Sequence, residues 1–477
     1  MSLKYKFNSS LDGKFIHSFV FEFDGKNYLY DYVNDFVCII SSKFKKTLEK
    51  YYGGILEKEN IEEMKLLEFF FERNIVASDS FKLEKIKDDF DDVYMSFAPI
   101  YECNFRCRYC FGKYGKKYKG KIKAFSKEMV KKTIDYFVFE AFPNASDYHI
   151  DFVSGGEPLL NFDVIVYAVS YAEELKRKKN KRIKIWLCTN SKLLNEKVCG
   201  FLDKHNISIG ISIDGVREVH NNNRKDENGN GTYDLVVRRI KDIFESKDYS
   251  SNFKNMTALS VIADADYDIV KNLTHNFELG FKNMQFKLIR NNSHNFAGLK
   301  TKYDDLKTFL LKKFKEKEYD FFLCILNDND NFGKILKRIL IGKRVCRRCG
   351  AGFNKISICP DGSIYPCDSF VGIEDFEMGN IVSHQFKKGF LNNLDVDSNT
   401  VCKECDVRYI CGGDCYYNSF INTDSVGIPD SSFCKIQKYI IKICIVLRME
   451  MELVNPCEFR YLKKILLLRE EQLRNIW

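Results

Sequence analysis

Between residues 92 and 345, short apolar runs alternate with longer stretches whose apolar positions recur every three or four residues. The runs are "VYMSFAPI", "YHIDFVSG", "RIKIWLCTN", "ISIGISIDG", "MTALSVIAD" and "MQFKLIR". Helical stretches follow most of them, among them Ser126 to Glu140 and Phe162 to Lys178. Apolar runs separated by amphipathic helices predict a parallel sheet covered by helices. Six such units predict an α/β fold, a partial (β/α)6 TIM-like barrel over 91–345. The chemistry of a barrel sits in the loops after its strands.

Upstream, residues 1–90 read as a small separate domain. "SFVFEFDGKNYLYDY" alternates apolar and polar positions, with Asp24-Gly25 as a hairpin turn. "FVCII" is a third strand candidate. Ser41 or Ser42 then caps a helix through "KFKKTLEKYY", and "IEEMKLLEFFFERN" has helical spacing. Three short strands with two helices predict a winged-helix-like module. Residues 346–445 are loop-rich until "FCKIQKYIIKICIVL". Residues 446–477 end in the amphipathic "YLKKILLLREEQLRNIW", expected to pack on the barrel.

A chain of 477 residues exceeds one ordinary core, so several domains are expected. No window approaches 18 uninterrupted apolar residues, which predicts no membrane span. "MSLKYKFNSS" lacks the apolar core of a signal peptide, so the cytoplasm is the expected compartment. Thiols stay reduced there, and 18 cysteines then argue for metal ligation or redox chemistry rather than disulfide staples. The net charge of +9 is modest, and fits a solvated lysine-rich surface or a site for an acidic partner. A winged-helix nucleic-acid binder would want an arginine-rich recognition helix, and residues 1–90 offer none.

Chemistry concentrates on one rim. Cys103, Cys107 and Cys110 follow the first strand of the barrel and supply three soft ligands. Iron–sulfur clusters usually take four thiolates, so three leave one iron open. Structural zinc wants four closed ligands, and no local histidine completes such a set. "GGEP" follows the second strand: Gly155 and Gly156 let backbone approach a ligand, and Glu157 can accept from a ligand ammonium. "TN" and "SIDG" end the third and fourth. A second array holds Cys402, Cys405, Cys411, Cys415 and the distant Cys434, downstream of "CGAGFNKISICPDGSIYPC". Zinc ribbons are the rival for this array, and its spacing matches them poorly.

The cysteine triad followed by Phe111, then "GGEP", then "SIDG", resembles the radical S-adenosylmethionine (SAM) superfamily. The resemblance implies that an open iron chelates SAM and that one electron cleaves it to a hydrogen-abstracting radical. It implies that Gly155, Gly156 and Glu157 hold the methionyl amine, that Phe111 lies beside the adenine, and that Ser212 and Arg224 contact SAM. The C-terminal array resembles the SPASM extension, which implies two auxiliary [4Fe–4S] clusters and three in all. One takes Cys402, Cys405, Cys411 and Cys434. The other takes Cys349, Cys367 and Cys415, with Cys346, Cys359 or a position open to substrate completing it.

Over residues 93 to 445 the chain is similar to maturases that install thioether bridges in ribosomally made peptides. That similarity implies a precursor peptide whose leader binds the N-terminal domain, and an external reductant such as flavodoxin or ferredoxin. No nucleic-acid or membrane partner is expected. Asp368, directly after Cys367, is a candidate proton acceptor. It also resembles the aspartate of sulfatase maturases, so formylglycine formation stays open, as does carbon–carbon crosslinking.

Overall fold

The computed structural model describes residues 18–32, 34–52, 65, 67–70, 92–153, 155–289, 296–386, 391 and 394–475. Its centre is a parallel run of six strands in chain order: β4 (Asp92–Phe97), β5 (Asp147–Phe152), β6 (Arg182–Thr189), β7 (Ser208–Ser212), β8 (Thr257–Ile262) and β9 (Asn283–Leu288). These are the six runs read from the sequence. Every pairing among them is parallel, as β/α crossovers require. Helices cover the outer face. Lys127–Asp135, Glu196–Lys204, Ile269–Glu278 and Asn331–Ile341 each begin at a side chain that accepts from the backbone three residues on: Ser126, Asn195, Asp268 and Asp330.

The sheet continues past β4. Strand β10 (Lys355–Ile358) pairs parallel with β4, and β11 (Ser363–Tyr365), β12 (Gly379–Asn380) and β13 (Gln385–Phe386) extend it antiparallel. The cysteine-rich segment is therefore joined to the barrel by backbone hydrogen bonds in one ten-stranded sheet.

Near the N-terminus, β1 (Ser18–Phe23), β2 (Lys26–Asp31) and β3 (Phe36–Ile40) form an antiparallel sheet in that order. Asp24 and Gly25 both have positive φ, 46° and 70°, the two-residue turn that the sequence announced. Leu29 and Ile40 pack with Phe44 and Leu48 of the helix Ser42–Tyr52 and with Leu67 and Phe70. Most of the expected second helix lies outside the described residues.

The opposite face carries Phe19, Phe21, Phe23, Tyr28, Tyr30 and Tyr32, which join the main core. They meet the helix Ser431–Val454, where Tyr439 lies 5.9 Å from Phe23, and Tyr409, 5.7 Å from Tyr32. A boundary at 446 falls inside this 24-residue helix. The module read as separate thus shares its aromatic face with the body of the protein.

The β2–β3 turn is clamped to the C-terminal helices. The Arg448 guanidinium, 4% exposed, donates to the Asp35 carbonyl at 2.7 Å, and Lys463 reaches the Asp35 carboxylate at 2.6 Å. Removing Arg448 would leave a buried acceptor without its donor. Arg448→Ala should cost about 2 kcal/mol of docking stability. Hydrogen exchange should speed up across β2 and β3 while β4 to β9 keep their protection.

Candidate active site

Two loops meet at the rim. The Glu157 N–H donates to the Glu102 carbonyl at 2.7 Å, joining the "GGEP" turn to the chain entering the cysteine loop. A Cβ on Gly156 would stand 2.2 Å from the carbonyl oxygens of Ile100 and Glu102. One on Gly155, whose φ is +116°, would strike the Tyr101 ring at 2.7 Å. Gly156 permits backbone-to-backbone approach beside Cys103, and Gly155 makes room for the Tyr101 ring.

Glu157 is buried, and its carboxylate accepts from the Thr189 hydroxyl at 2.6 Å and from the N–H groups of Asn190 and Leu159 at 2.9 and 3.3 Å. Burial pushes its pKa up to about 7 against those three donors. Asn190 also bonds Asn104 at 2.7 Å and approaches the Cys103 sulfur at 3.9 Å. The end of β6 thereby ties the turn to the first thiol.

The cysteine loop is zipped to the segment that carries Arg224. Arg106 N–H and Arg108 N–H donate to the carbonyls of Lys225 and Asn223. Cys103 and Cys110 sulfurs accept from the N–H groups of Phe105 and Tyr114, each at 3.4 Å. Arg224 is buried against Asp214 of "SIDG" at 2.9 Å, over the Tyr109 ring and next to Cys107. Asp214 further accepts from Tyr109 at 2.6 Å. The charge is therefore paired, as burial demands.

Burial drives two of these thiols away from ionisation: Cys103 rises to about 12, and Cys107 to about 11. A coordinated iron reverses that preference and deprotonates a thiol outright. Crowded, half-buried thiols, sulfur-directed N–H donors and a paired arginine suit an anionic cluster. Among the described residues, no three His, Cys, Asp or Glu side chains are placed to hold a single metal ion. Cubane ligands bind separate irons and need not converge.

The predicted auxiliary cysteines also fall into two neighbourhoods. Cys402, Cys405, Cys411 and Cys434 feel one another's charge, and burial pushes Cys402 and Cys434 up to about 12. Arg338 ties their loop by donating to the Ile410 and Cys411 carbonyls at 2.7 and 3.1 Å. Cys367 lies with Cys415, Cys349 and Asp368 and is pushed up to about 12, first by burial. Cys346 is buried, its carbonyl accepting from Val396 N–H. Cys359 is fully buried, in one apolar cluster with Cys367 and Cys415, and its sulfur lies 3.4 Å from the Tyr101 hydroxyl.

Phe111 is half-buried, its ring 6.5 Å from Tyr417. Ser212 ends β7, beside the Cys188 thiol. Cys188, on β6, was missed by the motif reading. So was a charged group on the inner strand faces. Tyr148, Ile150 and Phe152 of β5 face the outer core, so His149 and Asp151 face inward. Tyr94 stacks on His149 at 4.4 Å. Asp151 neighbours Lys355 of β10, Asp368 and Lys287, and burial raises its pKa. For Lys355 burial opposes the charge, and Asp368 and Asp151 outweigh it, so its pKa rises. A charge at an inward strand position was the available signal.

A parallel sheet whose first loop carries three thiols against a double-glycine turn defines a radical SAM fold. The radical SAM superfamily profile matches residues 98–270. The cysteine-type anaerobic sulfatase-maturating enzyme of Clostridium perfringens is 30% identical over 341 residues, 66% of this chain and 85% of that one. The chain belongs to the radical SAM superfamily and is homologous to its anaerobic sulfatase-maturating enzymes. It is also similar to the radical SAM cyclopropyl synthase TigE of Paramaledivibacter caminithermalis, at 21% identity over 72% of this chain and 71% of that protein. The solved structure of native anSMEcpe with bound AdoMet and Cp18Cys peptide shares the fold, with TM-score 0.60 and 24% identity. That match covers 76% of this chain and all of the other. Superfamily membership implies SAM and one [4Fe–4S] cluster. Among the described residues, no helix is long and apolar enough to cross a membrane.

The glycine contacts give a direct test. Gly156→Ala should displace the Cys103 loop and weaken SAM binding at least tenfold, measured by equilibrium dialysis. Gly200→Ala is the control: nothing lies within 4 Å of its added Cβ, and it sits in the helix Glu196–Lys204. That change should leave SAM binding intact and stabilise the helix by about 0.5–1 kcal/mol.

Proposed function

We propose that this enzyme modifies a ribosomally made precursor peptide, linking peptide cysteines to acceptor carbons as thioethers. The observation that carries chemistry at a substrate thiol, common to this reading and its rival, is the group of Asp368, Lys355 and Asp151 beside Cys367. It offers a carboxylate to take the proton of a substrate thiol, with an ammonium beside it. The N-terminal sheet supports a peptide substrate. Its apolar edge strand β3, with Ile39 47% exposed, is available for an added strand of leader peptide. About a quarter of this chain lies outside the part that matches anSMEcpe, so the protein carries more than that fold.

In this reading Cys103, Cys107 and Cys110 hold the SAM cluster. Cys402, Cys405, Cys411 and Cys434 hold one auxiliary cluster; Cys349, Cys367 and Cys415 hold the other, with Cys346, Cys359 or a substrate thiolate as its fourth ligand. When bound, SAM and its cluster supply hydrogen abstraction from an unactivated carbon. Gly155, Gly156 and Glu157 receive the methionyl amine, Phe111 lies by the adenine, and Ser212 and Arg224 complete the contacts. Asp368 moves the substrate proton. A flavodoxin or ferredoxin in the cytoplasm delivers the electron, with neither nucleic acid nor membrane as partner.

Formylglycine formation is the second reading, favoured by the 30% identity to a cysteine-type sulfatase-maturating enzyme and by Asp368 itself. Mass spectrometry of the product separates the two. A thioether removes two hydrogens per bridge and hides the cysteine from alkylation. Formylglycine removes the sulfur and leaves an aldehyde that hydrazides capture, and such an aldehyde would replace the thioether reading.

Iron analysis tests the cofactor assignment. Three cubane clusters bring roughly 12 irons per chain after anaerobic reconstitution. Replacing Cys103, Cys107 and Cys110 together with alanine should remove about a third of that iron and abolish SAM cleavage. Stoichiometric zinc without iron would end this reading. Asp368→Asn should keep SAM cleavage within about twofold and slow product formation by at least about a hundredfold, the range for a lost general base. Equal product rates would reduce Asp368 to a structural role.

A further inference from the structure

The basic excess of the chain is concentrated on the loop that carries the first thiols. Residues 103–127 contain nine lysines and arginines and no aspartate or glutamate, a surplus equal to the net charge of the whole protein. Some of these cations are committed. Arg106 meets Glu227, Arg108 meets Asp264, Lys117 bonds the Ser369 carbonyl, and Lys123 bonds that of Tyr118. Lys113, Lys116, Lys119 and Lys121 are exposed, and among the described residues they make no ion pair or side-chain hydrogen bond.

The scaffold under these four lysines is fixed. Lys113 opens the turn after Cys110, where the Tyr114 N–H donates to the Cys110 sulfur at 3.4 Å and the Lys116 N–H to the Lys113 carbonyl at 3.0 Å. A Cβ on Gly115 would stand 1.9 Å from the Tyr101 carbonyl oxygen, so the turn is pressed against the strand exit. The loop returns through a bridge between Ala124 and Ile100. Within it Ile122 is 54% exposed, an apolar contact set among the cations.

We propose that this basic loop is the docking surface for an acidic one-electron carrier protein, which reduces the cluster site directly beneath it. The proposal rests on the reading that Cys103, Cys107 and Cys110 hold a cluster. Charge complementarity selects the partner. Uncompensated cations steer an acidic protein and speed its association by 10- to 1,000-fold at low salt, with little demand on buried area. Weak electron-transfer encounters use small contacts of this kind. Position selects the role: Lys113 lies three residues from Cys110, and tunnelling decays steeply with distance. One electron leaves the reduced carrier and enters the cluster site. No proton or group crosses the interface.

The test uses reconstituted full-length enzyme and an acidic flavodoxin as probe. The variant reverses four charges: Lys113→Glu, Lys116→Glu, Lys119→Glu and Lys121→Glu. For oxidised flavodoxin at low ionic strength, Kd should rise at least tenfold, and the steep salt dependence of the wild-type Kd should flatten. SAM cleavage driven by reduced flavodoxin should show a matching rise in KM for flavodoxin. Cleavage driven by photoreduced deazaflavin, a small reductant with no docking need, should stay within twofold. A wild-type flavodoxin Kd in the variant overturns the proposal. So does loss of precursor-peptide binding with flavodoxin binding unchanged, which would make the loop a peptide surface. If the variant takes up less iron, the four-glutamine version and a salt titration of the wild-type Kd decide by the same criteria. Failure of wild-type enzyme to cleave SAM with deazaflavin would instead refute the cluster reading and leave the docking result to stand by itself.

Discussion

The rim depends on one close approach of backbone to backbone. At Gly155 and Gly156 the chain after β5 lies against the chain after β4 with no room for side chains. The Glu157 N–H then reaches the Glu102 carbonyl. From that join the rest follows. Glu157 turns inward to Thr189 and Asn190, Asn190 turns to Cys103, and the thiol loop is held between β5 and the Arg224 segment. A side chain at either glycine would separate the strand ends and with them every group that must act together.

The sheet extension applies the same logic to the cysteine-rich half. A loop-rich segment with several thiols has little apolar area with which to fix itself. Pairing β10 with β4 gives it the register of the barrel: Ser357 lies opposite Ser96, and Ser96 opposite Asp151. Lys355 and Asp368 thus reach the interior from a region remote in sequence. The polar interior is assembled across the seam between the two halves.

This explains what was legible beforehand. The six parallel strands showed as apolar runs because both their faces are largely covered, and the thiol and glycine motifs showed because their spacing is local. The hairpin at Asp24-Gly25 was equally local. Asp151 with Lys355, and Cys188 with Ser212, were not legible, since their meeting depends on which strands pair. The alternation at Phe19, Phe21 and Phe23 announced a strand, yet nothing local indicated that this face would settle on a helix more than 400 residues later. Nor did anything local indicate that the Cys359 sulfur would meet the Tyr101 hydroxyl, 258 residues away in the chain.

The helix Ser431–Val454 carries Cys434 in its first turn and Tyr439 and Arg448 further along. It serves as a common gauge bar, about 36 Å long at 1.5 Å per residue, from which both the Cys434 thiol and the N-terminal sheet take their position. Inserting a single residue between Cys434 and Arg448 would turn everything beyond it by about 100°. The thiol would stay in place while Arg448 swung away from Asp35. A change of length in this part of the chain is therefore accommodated only in the loops, and the spacing along this helix is as constrained as the spacing within the cysteine motifs.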